Sequence, residues 1–361
     1  MRVANRLQRL RHALAAKESE AILISQPENR LYLSGFDGSA GFLLITQKVA
    51  ILATDFRYIE QARTQAPDYE ILRITGDLAD WFPKLGTELE LRNLSFEAEH
   101  LTFARHRQLN DILDKTNPQL KLVPVDGLVE SLRVIKEAEE IELINLAVEL
   151  TDAAYEYVEG IIQTGMTERE VAWEIAKALH EKGSQTIPFD IIVASGPNSA
   201  LPHTKPTSRA IGSGEPVIID MGARIGGYCS DLSRTICLGR RDDTFNKVYD
   251  AVLQAQLAAV DSIKEGVTGE EIDALARTVI KEAGYGEAFG HGLGHGVGLA
   301  SHELPSLAPN SSEPLVDGMI FTIEPGIYLP GWGGVRIEDV ILMENGKARV
   351  LSKARRIGHD K

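Results

Sequence analysis

Four acidic residues stand where acids are expensive. Asp220 follows the apolar run Val217-Ile218-Ile219, and Glu324 follows Ile320-Phe321-Thr322-Ile323. An acid inside an apolar strand must be paired, hydrogen-bonded or bound to a metal. Each is followed by a glycine-rich turn and a second acid on the returning strand. Asp231 follows Gly226-Gly227, and Glu338 follows Gly333-Gly334. Four carboxylates gathered in one site repel one another and call for a multivalent cation. A nitrogen ligand is available from Gly290-His291-Gly292-Leu293-Gly294-His295-Gly296-Val297-Gly298. Glycine at every second position weighs against a helix. In an extended segment the glycine face can approach neighbouring backbone, while His291, Leu293, His295 and Val297 share the other face.

Four carboxylates and an imidazole exceed the needs of one tetrahedral ion. They suit two divalent ions about 3.5–4 Å apart, bridged by carboxylates. Oxygen-rich ligation favours Mn²⁺ or Co²⁺, with Zn²⁺ and Fe²⁺ as alternatives. Such a pair acidifies a bridging water into a hydroxide nucleophile, so hydrolysis is the expected reaction class.

The elements that must position these groups form a weak internal repeat. Ile162-Gln-Thr-Gly-Met-Thr-Glu-Arg-Glu-Val171 matches Ile263-Lys-Glu-Gly-Val-Thr-Gly-Glu-Glu-Ile272, and each copy opens a helix with a capping box, Thr167 with Glu170 and Thr268 with Glu271. The acid-bearing strands follow in the same order in both copies. Two helix–strand–hairpin halves related by an approximate twofold axis are implied. A long amphipathic helix begins at Lys136. Before it, helical and strand patterns alternate: Ala21–Ile24, Ala50–Thr54 and Tyr69–Ile74 read as strands and Arg57–Gln65 as a helix, while Val123-Pro124-Val125-Asp126-Gly127 reads as a linker. Two domains are expected, residues 1–124 and 125–361.

Bulk properties narrow the function. The 361 residues are 43% hydrophobic and 25% charged, as in a globular enzyme, and no apolar run approaches the length of a membrane span. A net charge of −14 argues against nucleic-acid partners. Arg2, Arg6, Arg9 and Arg11 read as the polar side of a first helix whose apolar side is Leu7, Leu10 and Leu14, rather than as a transit segment. Cys229 and Cys237 share one extended stretch spanning about 26 Å, too far to pair. Free thiols fit a reducing, cytoplasmic setting.

The motifs together resemble the pita-bread metallopeptidases, in the branch of Xaa-Pro aminopeptidases and Xaa-Pro dipeptidases (prolidases). They are Pro202-His203-Thr204, Ile219-Asp220-Met-Gly, Tyr228-Cys-Ser-Asp231-Leu-Ser-Arg-Thr235, His291-Gly-Leu-Gly-His295, His302-Glu303, Thr322-Ile-Glu324-Pro-Gly-Ile-Tyr328 and Gly333-Gly-Val-Arg-Ile-Glu338-Asp. The resemblance implies an α/β (α+β) architecture, a pita-bread catalytic domain with pseudo-twofold symmetry preceded by a smaller α/β creatinase-like domain. It implies that Asp220, Asp231, His295, Glu324 and Glu338 hold the metals. His203 and His302 would contact the substrate and stabilise the tetrahedral intermediate, with His291 nearby, and Glu324 would also shuttle a proton. Phe189 would line the proline pocket, and Arg336 would hold a ligand carboxylate from behind. The implied substrates are peptides with proline second, and the implied assembly is a homodimer.

One departure bears on substrate length. In some prolidases an arginine after the His302-Glu303 motif holds a dipeptide's carboxylate, whereas this chain has Leu304-Pro305-Ser306. Without that cation an aminopeptidase is favoured over a dipeptidase, unless Lys205 or Arg209 substitutes. A non-catalytic binding protein on the same fold is the alternative from another class, and it is expected to lose ligands that are all kept here.

Overall fold

The computed structural model describes residues 3–357, and Arg2 lies outside them. Two compact units divide between Arg133 and Val134.

The first unit is built on one mixed sheet. Its strands are β1 (Ala21–Ile24), β2 (Phe42–Thr46), β3 (Ala50–Thr54), β4 (Glu70–Arg73), β5 (Asn93–Glu97) and β6 (Lys121–Val125), in the order β4-β3-β2-β1-β5-β6. Its helices are α1 (Val3–Ala16), α2 (Pro27–Ser34), α3 (Ile59–Gln65), α4 (Leu78–Glu88), α5 (Phe103–Thr116) and α6 (Glu130–Arg133). In α1 the apolar stripe Leu7, Leu10 and Leu14 is buried, as its spacing requires. Arg6 is buried with it, its guanidinium 4.2 Å from the centre of the Tyr32 ring and donating to the Tyr32 carbonyl. Val123 to Val125, a linker by composition, instead complete β6. The proline is accommodated because β6 is an edge strand, with Pro124 opposite Phe96 of β5.

The second unit contains the repeat. Its first half runs α7 (Ala138–Ile161), α8 (Glu168–Glu181), β7 (Ile192–Ser195), β8 (Pro216–Met221), β9 (Arg224–Ile225), β10 (Tyr228–Cys229) and β11 (Leu232–Cys237). The second half runs α9 (Asp243–Ser262), α10 (Gly269–Glu282), β12 (Gly294–Gly296), β13 (Glu303–Leu307), β14 (Ile320–Ile323), β15 (Gly326–Leu329), β16 (Gly333–Arg336), β17 (Asp339–Glu344) and β18 (Lys347–Val350). Both capping boxes form. Thr167 Oγ1 accepts the Glu170 N–H while Glu170 accepts the Thr167 N–H, and Thr268 and Glu271 do the same.

Each half presses its helix pair on its own strands. Leu150, Val158, Val171 and Ile175 pack with Val217, Ile219 and Met221 of β8, whereas Val252, Ile272 and Ile280 pack with Phe321 and Ile323 of β14. Alternation then fixes what faces away from the helices: Asp220 on β8, and Thr322 and Glu324 on and just past β14. The two sheets are antiparallel, ordered β11-β8-β7 and β13-β12-β14-β17-β18, with β9–β10 and β15–β16 as hairpin excursions between paired strands. All four acids therefore stand where a strand leaves for, or returns from, an excursion. Cys229 and Cys237 fall on separate strands and both are free thiols. Among the described residues no helix is long and apolar enough to cross a membrane.

Candidate metal centre

The glycine alternation does what its spacing suggests. A Cβ at Gly294 would stand 2.0 Å from the Thr322 carbonyl oxygen, and one at Gly296 would stand 2.1 Å from that of Leu304. Only bare backbone lets β12 lie this close to both neighbours. That approach delivers His295 to the acids. Its backbone N–H donates to Thr322 Oγ1 at 3.1 Å, and Thr322 Oγ1 donates to Glu324 Oε1 at 3.2 Å.

The ring of His295 is oriented from behind. Nδ1 donates to the Gly296 carbonyl at 3.1 Å, which turns Nε2 toward Glu324 Oε1 at 3.2 Å and Asp231 Oδ2 at 3.8 Å. One ligand atom each from Asp231, His295 and Glu338 lies within 4.8 Å of the others, a spacing that can hold a metal ion. Asp220 stands alongside, so all five side chains implied as ligands come together.

The electrostatics describe a site short of positive charge. Burial, then the neighbouring Glu338 and Asp220, push Asp231 well above the usual carboxylate range, and burial with Glu324 and Asp220 does the same to Glu338. Burial raises Asp220 too, against the opposing Arg336. At Glu324 burial is the largest influence, but the hydrogen bond and charge of His295 with the charges of His291 and Arg336 together outweigh it and lower the pKa. At His295 burial is likewise outweighed, by Glu324 above all, and the pKa is raised. Among the described residues, Asp220 Oδ1 and Glu338 Oε1 are buried without a hydrogen-bond partner. Buried orphan oxygens beside an imidazole nitrogen are donor atoms awaiting a cation, so the residues fit divalent ions.

Arg336 completes this wall beside the acids. It is buried, and it donates to Asp220 Oδ2 at 2.6 Å, Ser233 Oγ at 2.7 Å and the Tyr328 hydroxyl at 2.9 Å. The carboxylate it holds is thus Asp220, on β8 of a different sheet, rather than Glu338 two residues along. Tyr328 then lies 2.9 Å from His291 Nε2, while His291 Nδ1 donates to the Gly292 carbonyl at 2.8 Å. Burial lowers the pKa of His291. With both ring nitrogens engaged, His291 braces the wall. Tyr328, Thr322 and Ser233 lie inside motif segments of the sequence, but a partner far along the chain is what gives each its place.

The cavity in front of this wall is about 520 Å³, and Phe189, His203, His291, His302, Ser306 and Lys205 line it with the acids and Arg336. His203 and His302 are exposed to it. The ring of His302 stacks on that of His295, centroids 3.8 Å apart. Phe189 packs over Gly222, where a Cβ would stand 2.8 Å from the ring. Of the two cations weighed in place of that arginine, Lys205 lines the cavity and pairs with Asp190 at 2.8 Å. Arg209 is turned to Glu215, bonding both carboxylate oxygens at 2.5 and 2.6 Å.

Comparison with known proteins agrees with this geometry. Residues 142–345 match metallopeptidase family M24, and residues 6–135 match the creatinase/prolidase N-terminal domain. The chain is similar to a solved Xaa-Pro dipeptidase from Bacillus anthracis, with 42% identity, 98% of each chain covered and a TM-score of 0.94. It is also similar to an X-Pro aminopeptidase structure from Thermotoga maritima, with 35% identity over 97% of this chain and 98% of the other and a TM-score of 0.89. An Xaa-Pro dipeptidase of Pyrococcus furiosus is 35% identical over 97% of this chain and 98% of its own. The fold class is therefore the pita-bread catalytic domain preceded by a creatinase-type domain. The chain belongs to metallopeptidase family M24.

Proposed function

We propose that this metallopeptidase removes the N-terminal residue from peptides whose second residue is proline, as an Xaa-Pro aminopeptidase. Asp220, Asp231, His295, Glu324 and Glu338 would hold two divalent ions, Mn²⁺ or Co²⁺ before Zn²⁺ or Fe²⁺. The observation that carries the reading is the cluster of buried acid oxygens, two of them without a hydrogen-bond partner, gathered beside the His295 nitrogen on the wall of a peptide-sized cavity. When bound, the ions supply positive charge that polarises the scissile carbonyl and acidifies the attacking water.

The chain's own groups do the rest. His203 and His302, exposed on the cavity, donate to the oxyanion as it develops, a contribution of roughly 3–4 kcal/mol per well-placed donor. Glu324 passes a proton to the departing proline nitrogen. Phe189 offers an apolar face to the proline ring. Arg336, braced by Tyr328 and Ser233, fixes Asp220 so that its free oxygen points at the site.

Ser306 supports the aminopeptidase over the dipeptidase. It pairs with His295 across β12 and β13 and lines the cavity without a charge. A dipeptidase is the second reading, favoured by Lys205 on the same cavity. Metal-stripped protein restored with Mn²⁺ or Co²⁺ and given Ala-Pro beside Ala-Pro-Ala decides between them. Metal-dependent release of alanine from the tripeptide, with the dipeptide poor, supports the proposal. The opposite preference replaces it with a dipeptidase, and no cleavage under any divalent ion removes the catalytic claim. A homodimer in a reducing compartment belongs to the same proposal, and light scattering at micromolar concentration tests the dimer.

A further inference from the structure

Lys136 is a lysine with almost no exposed surface. Its side chain is 1% exposed, and its Nζ lies 2.9 Å from Glu303 Oε1, whose side chain is 7% exposed. Nζ also donates to the Val134 carbonyl at 3.3 Å, and the Lys136 backbone N–H is fixed to the Gly318 carbonyl at 2.8 Å. As a stabilising device this is a poor choice, because desolvating two charges offsets most of their attraction and apolar residues of similar size often serve better. A buried ion pair does, however, hold a group in one place.

What it holds is the segment that carries His302. Glu303 follows His302 and opens β13. Its second carboxylate oxygen accepts the Ala300 N–H at 3.3 Å, and the carboxylate lies so close over Gly298 that a Cβ there would stand 2.2 Å from Oε1. The turn of residues 297–302 is thus gathered around the Glu303 carboxylate, and Lys136 anchors that carboxylate. His302 stands at the end of the turn with its ring on that of His295, at 3.8 Å and 21°. The strand side of the turn is fixed by pairing of Gly296 with Glu303 and Phe321.

We propose that Lys136, acting through Glu303, is a positioning residue for His302, setting the place of its ring over His295 at the mouth of the metal centre. The assignment rests on the reading that His302 faces the substrate. It adds a residue outside the cavity, 166 positions before the histidine it serves.

A double-mutant cycle tests it. Lys136→Met, His302→Ala and the double variant are compared for kcat and KM on Ala-Pro-Ala with Mn²⁺. The His302 ring resonance, assigned by its loss in His302→Ala, is followed in the zinc-loaded protein. Lys136→Met should lower kcat by about tenfold or more, with less change in KM, since small misplacements of a working group cost on that scale. The ring resonance should move. In the His302→Ala background the same change should cost less than about twofold, because its route to the reaction is gone. Equal factors in both backgrounds with an unmoved resonance overturn the assignment. If the unsubstituted protein cleaves no peptide, the proposed function fails on its own. The resonance then decides this point: a shift in Lys136→Met upholds the positioning and no shift refutes it. Should Lys136→Met not fold because the buried Glu303 loses its lysine, Lys136→Met/Glu303→Gln removes both charges and carries the same comparisons.

Discussion

Glu338 and Asp339 are neighbours in sequence, equally buried, and treated in opposite ways by the fold. Asp339 meets Arg234 at 2.8 Å, Gln256 at 2.5 Å and Arg356, two of them cations. Glu338 faces Asp231, Asp220 and Glu324, with one carboxylate oxygen unpartnered. Arg234 even donates to the Glu338 backbone carbonyl while its charge goes to Asp339. Successive residues of an extended chain face opposite ways, so one acid is turned into a web of arginines and the other into the cavity. Burial of an acid is therefore not what marks the site. The mark is burial without counter-charge from the protein. Asp220, held by Arg336 through one oxygen and open at the other, is the intermediate case.

The largest effect should come from neutralising the acid that lacks a partner. Glu338→Gln is expected to lower kcat/KM by about 10²-fold, the upper end of the loss seen when a group behind a metal ligand is removed. Bound Mn²⁺ per chain should fall with it. Metal-free Glu338→Gln should nevertheless melt no lower than the metal-free parent, because a repelling charge has gone. A parent-like metal content would remove Glu338 from the proposed ligands.

The same change one residue along should do the reverse. Asp339→Asn leaves Arg234 and Arg356 without their carboxylate, and breaking a buried pair costs about 3–5 kcal/mol. Urea unfolding of the metal-free forms measures it. If Asp339→Asn and Glu338→Gln lower the midpoint equally, the contrast between the two acids is wrong.

The acids that anchor this contrast were legible as acids, because an apolar strand announces any charge placed in it. The capping boxes and the alternate glycines were legible too, being local patterns with local causes. Which acid would find an arginine was not. Arg234 and Arg356 reach Asp339 from separate parts of the chain, and Arg336 serves Asp220 rather than the Glu338 beside it. Tyr328 gains its place only when β15 pairs with β16, which carries Arg336, and the segment before β12 brings His291 to its hydroxyl. Likewise Val123 to Val125 became a strand because β5 offered an edge, which no property of those residues reveals.

A titration should show the missing counter-charge more gradually. In the metal-free protein Asp231 and Glu338 hold protons above the usual carboxylate range, burial being the first cause and the neighbouring acids the next. The native state then keeps protons that the unfolded chain has released. Stability from these groups accordingly falls as pH rises from about 4, the unfolded value, through the raised folded values. Urea midpoints of chelator-treated protein should decline across that window, less steeply in Glu338→Gln, and saturating Mn²⁺ should flatten the slope. An identical slope in parent and Glu338→Gln would show that the acid carries no such strain.

The smallest effect asks whether the protein can be given the cation it withholds. Ser306 stands opposite His295 in the pairing of β12 with β13, so an arginine there would enter the cavity on the histidine's side. Two destinations are open to its guanidinium. If it reaches outward to a substrate carboxylate, Ser306→Arg should shift the kcat/KM ratio toward Ala-Pro over Ala-Pro-Ala by about tenfold, the low end for a hydrogen bond to a charged group. If it folds back onto the acids, the ratio should stay put while Mn²⁺ binds more weakly, because a tethered cation now neutralises part of the cluster. Measuring the ratio and the Mn²⁺ affinity on one variant separates the two. Either change is consistent with a cavity poor in protein cations, whereas no change in both would mean that Lys205 or Arg336 already meets the need.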